Sequence, residues 1–258
     1  EPQQLKRLAL VHEAAEIVEV SEDLEISYRP QKSFAVRSEC SEANVEKELG
    51  KTLETGGNIV DLEDPDEIIK VYKIADNYCI ARMIENIDRS LFEGRKNQER
   101  PFSSPISLDP VLARILVNLS EVSAGDSILD PFCGTGGILI ESGLCGIDIH
   151  GLDIQQEMVE GTRENLEIYG VIGHDIRQGE ISKVDEIFDQ RFDAVITDLP
   201  YGQASRKKGD PVEKFIEVAP ELADKVVFMS DQESLSGSEP EFGVYIHKNL
   251  TRYIYLID

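Results

Sequence analysis

No apolar run in this sequence approaches the roughly 20 residues that a membrane-spanning helix needs. The opening Glu1-Pro2-Gln3-Gln4 has neither the cationic segment nor the apolar stretch of a secretory signal, so a soluble, cytoplasmic protein is expected. No initiator Met is present, and a longer parent protein is expected. The four cysteines, Cys40, Cys79, Cys133 and Cys145, form no C-x-x-C pair, and the four histidines show neither H-E-x-x-H nor His-x-His spacing. No metal site is expected, and buried thiols in a reducing compartment fit this usage. Cations are scarce too: 26 Lys and Arg stand against 50 Asp and Glu, a formal charge of −24. That field repels polyanions, so nucleic-acid binding needs local basic clusters or salt enough to screen the rest. Two clusters are present, Arg95, Lys96 and Arg100, and the run Arg206-Lys207-Lys208.

What remains is a chain of 258 residues, 41% hydrophobic, long enough for one large or two modest domains. Residues 1–92 read as a small α+β module. Strands are predicted at 33–37, 59–62, 67–71 and 79–84, and a helix from Ala43 to the Gly56-Gly57 stop. Residues 93–110, dense in Pro, Gly and Ser, read as a linker or draped loop. Residues 111–258 alternate helical and strand patterns, which implies a Rossmann-like, doubly wound, mainly parallel sheet. The closing runs 244–247 and 251–256 flank a short turn and read as an antiparallel hairpin.

The run Asp130-Pro131-Phe132-Cys133-Gly134-Thr135-Gly136-Gly137 sits where a buried strand turns into a helix, the place where doubly wound sheets bind ligands. Glycine lets the backbone approach a ligand and take positive φ. It is no Walker loop, which needs Lys-Ser/Thr after its last Gly, and no dinucleotide fingerprint, which needs Gly or Ala where Leu139 stands. Asp130 ends the strand, where it can receive a cationic amino group. Asp153 ends the next strand, where it can accept both hydroxyls of a ribose. A ribose and a positive charge without a phosphate describe S-adenosylmethionine. Further on, Asp198-Leu199-Pro200-Tyr201 follows a third strand. An Asp oxygen and the carbonyl before a proline can accept both hydrogens of a planar exocyclic amine, with Tyr201 stacked on its ring. Such a turn serves guanine, adenine or a glutamine amide equally well.

These residues resemble the class I amino-methyltransferases, whose fourth motif reads (D/N)-P-P-(Y/F/W). Arg100-Pro101-Phe102, Ser107-Leu108-Asp109-Pro110, Ala113-Arg114 and Val117-Asn118-Leu119, ahead of the glycine turn, resemble more specifically the archaeal and eukaryotic THUMP-containing tRNA guanine-N2 methyltransferases acting at nucleotide ten. Phe34-Ala35-Val36-Arg37, Val60-Asp61-Leu62 and Asn249-Leu250-Thr251-Arg252-Tyr253 extend the likeness over nearly the whole chain. The resemblance implies methyl transfer from S-adenosylmethionine to the guanine 2-amino group of tRNA, giving N2-methyl- or N2,N2-dimethylguanosine. It also implies an RNA-binding, THUMP-like domain over residues 1–92, and a small zinc-binding activator subunit as a possible partner.

By family position, Asp130, Gly134 and Gly136 would line the methionine end of the cofactor, Asp153 its ribose and Glu180 its adenine amine. Phe102, Ser107 and Leu108 would cover it. Asp198, Leu199, Pro200 and Tyr201 would hold the guanine, and Arg95, Lys96, Arg100, Arg206, Lys207 and Lys208 the tRNA phosphates. Leu199 replaces the usual first Pro; its carbonyl is kept, with some loop rigidity expected to be lost. A DNA or protein amino-methyltransferase, or an RNA scaffold that has lost catalysis, are the alternative readings.

Overall fold

The computed structural model describes residues 2–105, 107–200, 211–235, 237–248 and 250–257. The chain divides into two compact units, Glu1–Lys6 with Leu10–Asp88, and Arg7–Ala9 with Arg89–Asp258.

The first unit comprises α1 (Pro2–Leu5), β1 (Glu13–Ser21), β2 (Ser33–Ser38), α2 (Val45–Leu53), β3 (Ile59–Val60), β4 (Glu67–Ile74) and β5 (Asn77–Asn86). Its five strands lie in the order β1-β5-β4-β2-β3. β2 runs parallel to β3 and β4, and β5 runs antiparallel to β1 and β4. Val45, Leu49 and Leu53 recur at four-residue spacing on α2, so one helical face buries them against Phe34, Val36, Ile69, Val71 and Ile80. β1 is not legible in the sequence: its Ala- and Glu-rich stretch favours helix, and pairing with β5 overrides that preference.

The second unit carries α3 (Pro110–Leu119), β6 (Ser127–Asp130), α4 (Gly137–Gly143), β7 (Asp148–Asp153), α5 (Gln156–Ile168) and β8 (Asp175–Gln178). After these come α6 (Val184–Ile187), β9 (Phe192–Asp198), α7 (Pro211–Leu222), β10 (Ala223–Ser230), β11 (Phe242–His247) and β12 (Leu250–Ile257). Sheet order is β11-β12-β10-β9-β6-β7-β8. β8, β7, β6, β9 and β10 are mutually parallel, and β12 runs antiparallel to β10 and β11. Side chains alternate across the pleat. Ile128, Ile196 and Val227 face α3, α4 and α5, whereas Leu129, Val195 and Phe228 face α7. Short β8, one-turn α6 and helix α7 are elements of this unit that sequence patterning does not reveal.

The segment expected as a linker belongs to this second unit, with two 3-10 turns at Arg89–Arg95 and Asn97–Glu99. It leads into α3 through Asp109, whose side chain caps the Val111 amide at 2.9 Å, with Pro110 in the first helical turn. No helix among the described residues is long and apolar enough to cross a membrane.

Candidate active site

Chain order reverses between β6 and β9, and the strand ends there open on a cleft of about 770 Å³. The lining brings together Ser107, Gly134, Asp153, Glu180, Asp198, Leu199 and Pro200. Phe132, Ile154, Met158 and Ile181 add apolar surface, and Lys214 is the cation on the lining among the described residues.

The glycine turn is held from both sides. Gly134 and Gly136 have φ of +52° and +80°, conformations that an L side chain resists. A Cβ on Gly136 would also come within 2.9 Å of Thr162. From β7, the two oxygens of Asp153 accept the amides of Gly134 at 3.0 Å and Gln155 at 2.9 Å. From α5, the Thr162 hydroxyl donates to the Gly134 carbonyl at 2.6 Å. The Asn165 amide donates to the carbonyls of Thr135 at 2.9 Å and Phe102 at 2.8 Å, and its oxygen accepts the Phe102 amide at 3.0 Å. Thr162 and Asn165 are fully buried, and sequence reasoning misses both. The available signal is that Thr162 shares the i, i+3, i+7 series of Val159 and Leu166 on the inward face of α5.

Four expected cofactor residues lie behind the lining instead. Asp130 is buried and accepts the Thr197 hydroxyl at 2.6 Å and the Phe132 amide at 3.2 Å. It braces β6 against β9, and burial pushes its carboxyl up to about 7. Gly136 opens α4 against Thr162. The Phe102 ring lies flush on Gly161, with no room for a Cβ between them. Leu108 packs on the hydrophobic core.

The arginines of residues 93–110, a strap leading into α3, lie elsewhere than expected. Glu141 on α4 is wholly buried and pairs with Arg95 at 2.6 Å and Arg114 at 2.8 Å. Arg100 is also buried, its Nε bonded to the Arg95 carbonyl and its guanidinium beside Thr135 and Gly137. A buried carboxylate needs paired cations, and that demand turns Arg95 inward, while the Arg95 carbonyl and the Thr135 hydroxyl hold Arg100 there. Lys96 is half-buried, in an ion pair with Glu93 at 2.6 Å.

At the end of β9, the Leu199 amide donates to the Met229 carbonyl at 2.9 Å, and its side chain is buried in the core shared with α7. A proline there has no N–H to donate, so Leu199 anchors the turn by a hydrogen bond where the usual residue would stiffen it. Arg252 of β12, itself buried, donates through Nη2 to Oδ1 of Asp198. Burial raises the Asp198 carboxyl to about 6, with Arg252 acting in the opposite direction. Tyr201, Arg206, Lys207 and Lys208 lie outside the described residues.

Residues 97–230 match the model of the RMKL-like methyltransferase domain family (UPF0020). The chain is 35% identical to the tRNA (guanine(10)-N2)-dimethyltransferase of Methanothermobacter thermautotrophicus, over 98% of this chain and 84% of that one. It is likewise 35% identical to the enzyme of the same name from Pyrococcus abyssi, over 98% and 85%. Among solved structures, TrmN from Thermus thermophilus superposes with a TM-score of 0.54 at 19% identity, covering 98% of this chain and 85% of that one. That likeness is one of fold alone.

Proposed function

The chain belongs to the tRNA (guanine(10)-N2)-methyltransferase family, and from that premise we propose that it methylates the exocyclic N2 of a tRNA guanosine with S-adenosylmethionine as donor. The products are N2-methyl- and N2,N2-dimethylguanosine at position ten. The observation that carries this reading is the convergence of Gly134, Asp153 and Asp198 to Pro200 on one cleft at the sheet's switch point.

The donor set fits the cofactor. Asp153 and Glu180 offer carboxylates to ribose hydroxyls and an adenine amine, and Ile154, Met158 and Ile181 give a ring apolar faces. Asp153, Glu180 and Asp198 make the cleft acidic, which suits a cationic ligand. When bound, S-adenosylmethionine supplies an electrophilic methyl group.

The rest falls to this chain's residues. The guanine amine is a poor nucleophile because its lone pair is delocalised into the ring. Asp198, ionised at neutral pH, and the Leu199 carbonyl accept its two hydrogens and favour a more pyramidal nitrogen. Orientation of the two reactants is worth roughly 7–11 kcal/mol. Asp198 can also receive the proton that the nitrogen sheds.

A paired guanine reaches such a cleft only by flipping out, stacked on Tyr201, with Lys96 and Arg206 to Lys208 meeting the phosphates. The first unit serves as the THUMP-like RNA-binding module, and the enzyme works in the cytoplasm. A small zinc-binding activator subunit enters this reading as a separate chain, tested by whether adding it raises turnover.

Labelled cofactor and tRNA, followed by nucleoside mass spectrometry, test the proposal. Methyl label is expected on guanosine N2, and Asp198→Ala should abolish turnover while cofactor binding persists. Label on DNA adenine or protein glutamine instead, or none at all, would replace this reading.

A further inference from the structure

Asp198 is held by a residue remote in sequence. β12 is separated from β9 by β10, whose Met229 pairs with Asp198 on one side and Ile254 on the other. Arg252 precedes that register on β12 and pairs with Val244 of β11, so its side chain crosses the C-terminal end of β10 to reach Asp198. It does so almost fully buried, its side chain 5% exposed against 18% for Asp198. An arginine sequestered from water at a sheet end and directed at one carboxylate is an expensive arrangement, since guanidinium desolvation must be repaid by its partner.

We propose that Arg252 is a positioning residue for methyl transfer: by bonding Oδ1 of Asp198 it fixes the rotation of that carboxylate and presents Oδ2 to the amine. This rests on the reading of Asp198 as the acceptor of the guanine amine. The antiparallel hairpin, which sets this sheet apart from an all-parallel one, thus supplies part of the catalytic geometry.

The charge environment gives the inference a readout beyond structure. Asp198 faces Arg252 from β12, Asp231 just after β10 and Asp130 from β6. Asp231 disfavours its ionised form and Arg252 favours it. Removing Arg252 leaves a half-buried carboxylate beside Asp231 with no cation facing it among the described residues, and the pH at which it ionises must rise.

The test is the pH dependence of kcat at saturating tRNA and cofactor for wild type, Arg252→Lys and Arg252→Met, with cofactor affinity and thermal unfolding measured alongside. Arg252→Met is expected to lose about 10²-fold in kcat near pH 7, the scale of one lost preorganised donor. Its acidic limb should move to higher pH while cofactor affinity stays within about twofold, an expectation that follows from action through the acceptor alone. Arg252→Lys, which keeps the charge, should hold the limb in place and lose only orientation. In an Asp198→Asn background, Arg252→Met should add little further loss.

An unmoved acidic limb in Arg252→Met, or a loss that simply adds to that of Asp198→Asn, would overturn the inference. Should Arg252→Met fail to fold, the lysine variant decides: wild-type kcat there removes the orienting role. Wild-type enzyme that puts no methyl on guanosine N2 would instead defeat the assignment of the reaction itself.

Discussion

The Asp153 carboxylate accepts the Gly134 amide at 3.0 Å, so the end of β7 closes the turn that follows β6. One side chain therefore shapes the glycine turn and faces the cleft. Asp153→Ala removes the acceptor of two amides and, with it, the proposed ribose partner. It should weaken cofactor binding by at least tenfold and lower stability by about 1–3 kcal/mol. Calorimetric titration and urea unfolding measure the two effects; intact cofactor affinity would show that Asp153 only shapes the turn.

Glu141 is the carboxylate shared by Arg95 and Arg114 among the described residues. Glu141→Ala leaves both guanidinium groups without it, and a loss of about 3–5 kcal/mol is expected in urea unfolding. Because Arg95 belongs to the strap, limited proteolysis should then cut between residues 89 and 105 before the rest of the second unit. Wild-type resistance there would mean that the ion pairs do not hold the strap.

The Phe102 ring occupies the space a side chain at 161 would need. Gly161→Ala should displace the ring and strain its hydrogen bonds with Asn165, costing about 1–3 kcal/mol. The double variant Gly161→Ala/Phe102→Ala should recover part of that stability, and a double-mutant cycle of thermal unfolding reads the coupling. Simple additivity would show that the ring and the helix do not meet.

Asp130 titrates near 7 in the folded chain, against 3.8 when unperturbed, because burial disfavours its charge. Between those values the folded state holds a proton that the unfolded state has released, so this group's contribution to stability falls as pH rises from about 4 to 7. Asp130→Asn keeps an oxygen for Thr197 and has no such proton. Its stability relative to wild type should therefore climb across that window, as followed by denaturant unfolding at several pH values. A flat difference would mean that Asp130 is charged throughout.

Arg206, Lys207 and Lys208 stand shortly after the turn proposed to hold the guanine in an otherwise acidic chain. Reversing their charges should weaken tRNA binding and flatten its salt dependence, each phosphate contact contributing about 0.7–0.9 to the logarithmic slope. An unchanged slope would place the phosphates elsewhere.

Much of the second unit is legible without coordinates because its signals are local. The strand-glycine-helix run at 127–143, the hairpin at its end and the carboxylates at strand ends 130, 153 and 198 follow from periodicity and turn chemistry. The same reasoning misplaces the strap. Pro, Gly and Ser around Arg95 and Arg100 signal an exposed loop, yet the partner that draws Arg95 inward, Glu141, is 46 positions away. Nothing in the sequence names the partners of Thr162 and Asn165, which are met only when the glycine turn is set against α5.

By itself the sequence determined most strands and helices of the second unit and where the chain turns on glycine, because backbone preference and side-chain periodicity act between neighbours, and the resemblance of its motifs pointed to the family. Tertiary structure alone decided which charged groups are sealed inside and which face the cleft. Asp130 withdrew to brace a strand, Arg95 and Arg100 turned to the interior, and Arg252 crossed a strand end to reach Asp198. A charge leaves water most readily where an opposite charge or a hydrogen-bond partner awaits it, and the chain brings such partners together only on folding.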